Sequence, residues 1–259
     1  MKYYHIDAFT SELFCGNPAW VCIVESFPTI ETMQKIAAEN RHSETAFVKR
    51  EGESYRIRYF TPTQEIDLCG HATLSSAFVL FNFYEKQATQ IHFLANQTRL
   101  LAIKKDQGIE LTFPAIESEF VDQPKFIEKA LGTEVVNFYK SSAMYIAEVY
   151  SADLVESLEP DLSLLAKLDT NGITVTAKGE DCDFVSRFFG PQIGVPEDPG
   201  TGLAHVVLTR FWSRKFTKKE LHAKQLSSRR AEFICTDAGD SIRLVGSAHL
   251  YLQGRIELK

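Results

Sequence analysis

Two segments of this chain run through the same succession of local signals, and this duplication constrains the fold more than any other feature. The first, "YFTPTQEIDLCGHATLSSAFVLF" from Tyr59, has a β-rich start, a Pro-containing turn, a polar tip, a glycine, and then apolar residues on helical spacing. The second, "FFGPQIGVPEDPGTGLAHVVLTRFW" from Phe188, keeps the same order. Ten residues separate Phe60 from Gly70 and thirteen separate Phe189 from Gly202, so the match needs a three-residue insertion in the tip. Two pseudo-equivalent lobes are predicted, each with a buried helix starting near Gly70 or Gly202.

The flanking sequence supports a mixed α/β (α+β) chain. Strand patterns occur at "YYHIDAF", "AWVCIVE", "TAFVKR" and "YRIRYF", with a helical pattern at "TIETMQKIAAEN". The acidic, Pro-containing "AIESEFVDQP" breaks the pattern and places the boundary there, giving lobes 1–115 and 116–259. Strand and helix patterns then recur, and β-rich segments close the chain at "AEFICTD", "SIRLVG" and "HLYLQGRIEL".

Charge narrows the classes of partner. The formal net charge of −6 and short, scattered basic pairs argue against a nucleic-acid partner held by phosphate contacts. No run approaches the roughly 18 apolar residues of a membrane span, and the N-terminal residues lack a signal-peptide pattern, so a cytoplasmic protein without a membrane partner is expected. Five cysteines without tight paired spacing are expected to be reduced thiols.

A helix N-terminus exposes unpaired N–H groups and the positive end of the helix dipole, so Gly70 and Gly202 each open a potential carboxylate site. If the lobes are related by pseudo-symmetry, both tips are expected to face one cleft. The same glycines equally suit tight turns, and Asp198 suits an N-cap or turn position. In "RHSETAFV", strand alternation sets Glu44 on a face with Ala46 and Val48, an expensive place for a carboxylate, although a partly exposed residue at a strand end reads the same way. Desolvation disfavours the charged form of a carboxyl group, which suits one that takes and returns a proton near neutral pH. His71, just after Gly70, can polarise a substrate group or orient a carboxylate, or serve only as a local hydrogen-bond partner. Cys69 reads as a dipole-activated thiolate or as a small buried hydrophobe. Asp67, Cys69 and His71 alternate, but a turn tip gives no assured convergence, and no metal site is expected from them.

In order along the chain, "HIDAFTSELFCGNPAWV", "SETAFV", "FTPTQEIDLCGHAT" and "EDPGTGLAH" resemble the successive motifs of the phenazine-biosynthesis PhzF-like family, over nearly the full length. The resemblance implies a fold similar to diaminopimelate epimerase, with two pseudo-symmetric lobes, each a mixed sheet wrapped around a central helix, usually in a homodimer. It implies an isomerase without metal or organic cofactor, in which one glutamate shuttles a proton on a small carboxylic acid. Carried over by motif, Glu44 is the shuttle and His71 and Asp198 are its catalytic helpers. Ser43, Gly70 and Gly202 match positions that line the substrate. Leu203 stands where the family has a serine and Gly200 where it has a β-branched residue, so a hydroxyl donor is lost beside the substrate. An amino-acid racemase with opposed cysteines is the alternative enzyme, although "EDPGTGLAH" offers no second thiol. A non-catalytic binding protein with a vestigial site is the alternative outside catalysis.

Overall fold

A computed structural model of the chain describes residues 1–41 and 44–258. The chain divides into two compact units, one formed by Met1–Thr112 with Val245–Lys259 and the other by Phe113–Leu244.

The first unit contains β1 (Lys2–Ala8), β2 (Asn17–Val24), α1 (Ile30–Asn40), β3 (Glu44–Glu51), β4 (Ser54–Phe60), β5 (Glu65–Ile66), α2 (Gly70–Val79), β6 (Gln90–Ala95), β7 (Thr98–Lys105) and β8 (Gly108–Pro114), at whose end the second unit begins. Its sheet is mixed. β1 pairs antiparallel with β2, β2 parallel with β3, β3 antiparallel with β4, β4 parallel with β6, and β6 antiparallel with β7. The two parallel steps require crossovers, which α1 and α2 supply. Thr29 caps α1 by accepting the Thr32 N–H at 3.2 Å, and Met33 and Ala37, one turn apart, are its buried side. In α2 every residue from His71 to Ala77 is buried, as expected of a helix enclosed on all sides rather than laid on a surface. Its small residues let strands approach closely, and its hydroxyls are satisfied within the helix: Thr73 Oγ1 donates to Cys69 O at 2.6 Å and Ser76 Oγ to Ala72 O at 2.7 Å.

The second unit contains β9 (Ser118–Phe120), α3 (Ile127–Leu131), β10 (Asn137–Ser141), β11 (Tyr145–Glu148), α4 (Ala152–Glu156), α5 (Leu162–Leu165), β12 (Ile173–Lys178), β13 (Phe184–Gly190), β14 (Val195–Asp198), α6 (Gly202–Phe216), β15 (Glu220–Gln225), β16 (Ala231–Asp237) and β17 (Ser241–Gly246). The pairings repeat in order: β10 antiparallel to β11, β11 parallel to β12, β12 antiparallel to β13, β13 parallel to β15, β15 antiparallel to β16. α6 thus occupies in this unit the place of α2 in the first. Its side chains are larger. Trp212 is 1% exposed, stacks on Phe184 and donates Nε1–H to Thr176 Oγ1 at 3.0 Å. Helices α4 and α5 of the β11–β12 crossover, with α3, cover a separate apolar cluster that includes Ile127, Val155, Leu165, Ile173 and Phe189.

The sequence-based boundary needs one correction. It assigns residues 116–259 to the second lobe, whereas Val245–Lys259 belong to the first unit. The physical reason is β18 (Ala248–Arg255), which pairs antiparallel along the whole of β1, from Ala8 opposite Ala248 to Lys2 opposite Arg255. A strand's partner is set by the backbone edge it meets, and its own residue pattern carries no record of which edge that is.

Candidate functional site

In the first unit, Glu44 opens β3, where parallel pairing sets it opposite Ala19 of β2. Cys69 and His71 sit at the start of α2. Cys69 is the N-cap in an extended conformation and makes no side-chain cap of good geometry. The fold brings these three side chains together. Glu44 Oε2 lies 2.9 Å from His71 Nε2, and Cys69 Sγ lies 3.5 Å from His71 Nδ1 and 3.9 Å from Nε2. The Glu44 and His71 side chains are 15% and 8% exposed. Glu44 Oε2 is buried, and among the described residues no hydrogen bond of good geometry reaches it, although the imidazole is at ion-pair distance.

Burial works against a charged imidazole at His71, but the Cys69 sulfur and the Glu44 carboxylate outweigh it and hold the His71 pKa well above its usual value. Burial, followed by the charge of Glu44, pushes the Cys69 thiol up. Cys69 is therefore a poor source of thiolate. The expected rejection of Asp67, Cys69 and His71 as a trio takes a new form: Glu44, not Asp67, is the third donor beside Cys69 and His71. Asp67 accepts a hydrogen bond from Asn96 Nδ2.

In the second unit, Asp198 ends β14 and the turn Pro199–Gly200–Thr201 leads into α6 at Gly202. Thr201 Oγ1 donates to Asp198 Oδ2 at 2.5 Å. Gln225, buried at the end of β15, clamps this turn: its Nε2 donates to Asp198 O at 2.5 Å and its Oε1 accepts the Thr201 N–H at 2.8 Å. Ser227 Oγ donates to Pro199 O at 2.8 Å. One turn into α6, His205 Nδ1 lies 2.9 Å from Thr201 O while its ring stacks 3.6 Å from that of Phe233. Burial lowers the His205 pKa to about 4, so its imidazole is neutral and Nδ1–H is the donor to Thr201 O. Leu203 is 46% exposed at the helix start.

Of the residues expected at the site, Glu44, Gly70 and His71 converge in the first unit, and Asp198, Gly202 and Leu203 in the second. Ser43 lies outside the described residues. Sequence reasoning missed Gln225 and Ser227, which act on a turn more than twenty residues earlier in the chain. Of the two readings of Cys69, the buried small side chain is the one its burial supports.

The family profile described as phenazine biosynthesis-like protein matches residues 6–236. The chain belongs to this family. Among phenazine biosynthesis-like relatives, an uncharacterized isomerase of Pseudomonas aeruginosa is 41% identical over 258 residues, covering 100% of this chain and 99% of the relative. The crystal structure of a phenazine biosynthesis protein of the PhzF family from Enterococcus faecalis aligns with a TM-score of 0.97 at 40% identity over 99% of each chain. A hydroxyproline epimerase structure from Agrobacterium vitis aligns with a TM-score of 0.60 at 11% identity, over 98% of this chain and 91% of that one, which extends the likeness of fold to epimerases. No helix among the described residues of this phenazine biosynthesis-like chain is long and apolar enough to cross a membrane.

Proposed function

We propose that this protein is an isomerase that moves a proton on a small carboxylic acid, with Glu44 as the group that takes the proton from one position and returns it to another. The observation that carries this reading is the buried Glu44 Oε2, set 2.9 Å from His71 Nε2 at the start of the enclosed helix α2. A carboxylate in this state is fixed in place and only partly solvated, so little reorganisation precedes proton transfer. His71 keeps the carboxylate in position and offers a donor to negative charge that develops as a C–H bond breaks. The first turn of α2 supplies backbone N–H groups for the substrate carboxylate. No metal or organic cofactor is required for this sequence of steps.

Two features weigh against the two-thiol racemase. Burial keeps Cys69 protonated, and the start of α6 has no cysteine. The isomerase names of relatives agree with proton transfer but do not extend to a substrate. Homodimer formation and a cytoplasmic location belong to the same reading, and light scattering of the purified protein tests the first.

The deciding experiment incubates the protein with a panel of cyclic and acyclic amino and hydroxy acids in deuterated water and follows label uptake at carbon by mass spectrometry. Wild-type protein is expected to label at least one acid. Glu44→Gln is expected to keep the fold and ligand affinity while losing label uptake. Equal uptake by Glu44→Gln removes Glu44 from the role, and tight protein-partner binding without uptake across the panel favours the binding-protein alternative.

A further inference from the structure

Helix α2 starts with little to stop its first turn from fraying. Cys69 makes no side-chain cap of good geometry, and Gly70, the first helical residue, is the type that leaves the backbone most free. His71 sits in this turn, 2.9 Å from Glu44 Oε2. The turn is closed by the Thr73 N–H donating to Cys69 O at 3.0 Å, and the ring so closed contains Gly70, His71 and Ala72. Thr73 Oγ1 donates to the same carbonyl at 2.6 Å. A hydroxyl has one proton to give, so the 2.5 Å contact between Tyr59 and Thr73 is the Tyr59 O–H donating to Thr73 Oγ1. Both side chains are fully buried, and burial raises the Tyr59 pKa above its ordinary value, so the phenol keeps that proton.

The second unit repeats the arrangement within its own helix. Thr201, the N-cap of α6, makes no side-chain cap, and its carbonyl accepts the His205 N–H at 3.2 Å and the His205 Nδ1–H at 2.9 Å. In both helices a glycine follows the N-cap, and the residue four after the N-cap holds its carbonyl through main chain and side chain together. A buried aromatic residue, Tyr59 or Phe233, backs that side chain. Ser76 and Thr209 make the same side-chain bond deeper in their helices, where a preceding turn already constrains the backbone. At the first turn no preceding turn exists, and there the second bond opposes fraying.

We propose that Thr73, backed by Tyr59, is a positioning residue of the proton-transfer site: its hydroxyl holds the first turn of α2 closed and so keeps the His71 imidazole against Glu44. The hold on the turn stands on the hydrogen bonds alone. Its catalytic consequence rests on the reading of Glu44 as the group that carries the proton, because a frayed turn lets His71 leave the carboxylate it orients.

The test compares the full wild-type chain with Thr73→Ser, which keeps the hydroxyl, and with the double variant Tyr59→Phe/Thr73→Val, which removes both hydroxyls with little change of shape and strands neither. Urea unfolding checks that each protein is folded. Hydrogen exchange of the amide at position 73, corrected for its intrinsic rate, reads opening of the turn and is expected to quicken by more than about 10-fold in the double variant and by less than about 3-fold in Thr73→Ser. The His71 titration midpoint, read by NMR, is expected to fall toward the ordinary value of about 6.5 in the double variant and to stay in place in Thr73→Ser. With an acid that the wild type labels in deuterated water, kcat of the double variant is expected to fall by about 10-fold or more while KM changes by less than about 3-fold, and Thr73→Ser is expected to retain most of kcat. A merely structural role would lower stability without moving the His71 midpoint. Wild-type exchange and midpoint in the double variant overturn the hold on the turn, and so does a Thr73→Ser protein that behaves like the double variant. Movement of both with unchanged kcat overturns the positioning role. Absence of labelling by the wild type counts against the reading of Glu44 instead, and exchange and titration still decide the hold on the turn.

Discussion

His205 should make the second unit sensitive to mild acid. Its ring is fully buried between Phe184 and Phe233 in α6, and burial lowers its pKa to about 4 from the ordinary 6.5. Above pH 6.5 the imidazole is neutral in both folded and unfolded chains and contributes no pH dependence. As pH falls below that value the unfolded chain takes up a proton that the folded chain refuses until about pH 4. The unfolded state then binds more protons, so stability falls with falling pH. A difference of roughly 2.5 pKa units is worth about 3 kcal/mol at about pH 4, a large fraction of the stability of an ordinary domain. His205→Phe keeps an aromatic ring in the stack and removes the titration. It also removes the bond to Thr201 O, at a cost of about 1 kcal/mol that does not vary with pH. The assay is urea unfolding followed by the fluorescence of Trp212, in a Trp20→Phe background so that the signal comes from the second unit alone. The wild-type advantage over His205→Phe is expected to shrink and then reverse between about pH 7 and about pH 4, for a total change of about 3 kcal/mol. A constant difference between the two proteins across that interval would refute the assignment of a refused proton to His205.

Gln225→Leu keeps volume but leaves the Thr201 N–H and Asp198 carbonyl without their present partner, and is expected to cost about 2 kcal/mol or more and to raise KM more than it lowers kcat, read by unfolding and by the labelling assay. At Gly16 the backbone φ is +71° and an added Cβ would sit 2.2 Å from Ala8 O, so Gly16→Ala is expected to destabilise the first unit by more than about 2 kcal/mol in thermal or urea unfolding. Leu203→Ser, at a half-exposed position, should change stability by less than about 1 kcal/mol while shifting preference in the acid panel toward substrates with a polar group at that edge.

The parts of the fold that were legible in the sequence are those written in local signals. Gly70 and Gly202 each follow a polar tip and precede an apolar run, and α2 and α6 begin at those residues. Glu44 was visible because a carboxylate among apolar strand residues is costly wherever the strand goes. What was hidden depends on contacts between distant segments. The pairing of β18 with β1 joins residues near opposite ends of the chain, and the convergence of Glu44 on Cys69 and His71 needs the parallel β2–β3 step to set its depth. Gln225 looks like any polar strand residue until β15 is laid beside β13, which buries its amide against the turn after Asp198.

The pairing of β18 with β1 also dictates an order of events while the chain is made. Residues 113–244 form one uninterrupted stretch, so the second unit can close as soon as they have emerged. The first unit, although it is synthesised first, must wait for residues 248–255 before β1 gains its second neighbour. Until then β1 offers an unpaired edge of seven residues, and such an edge is a template for pairing with another chain. An intermediate in which only the second unit has closed therefore has its later half settled and its earlier half unfinished.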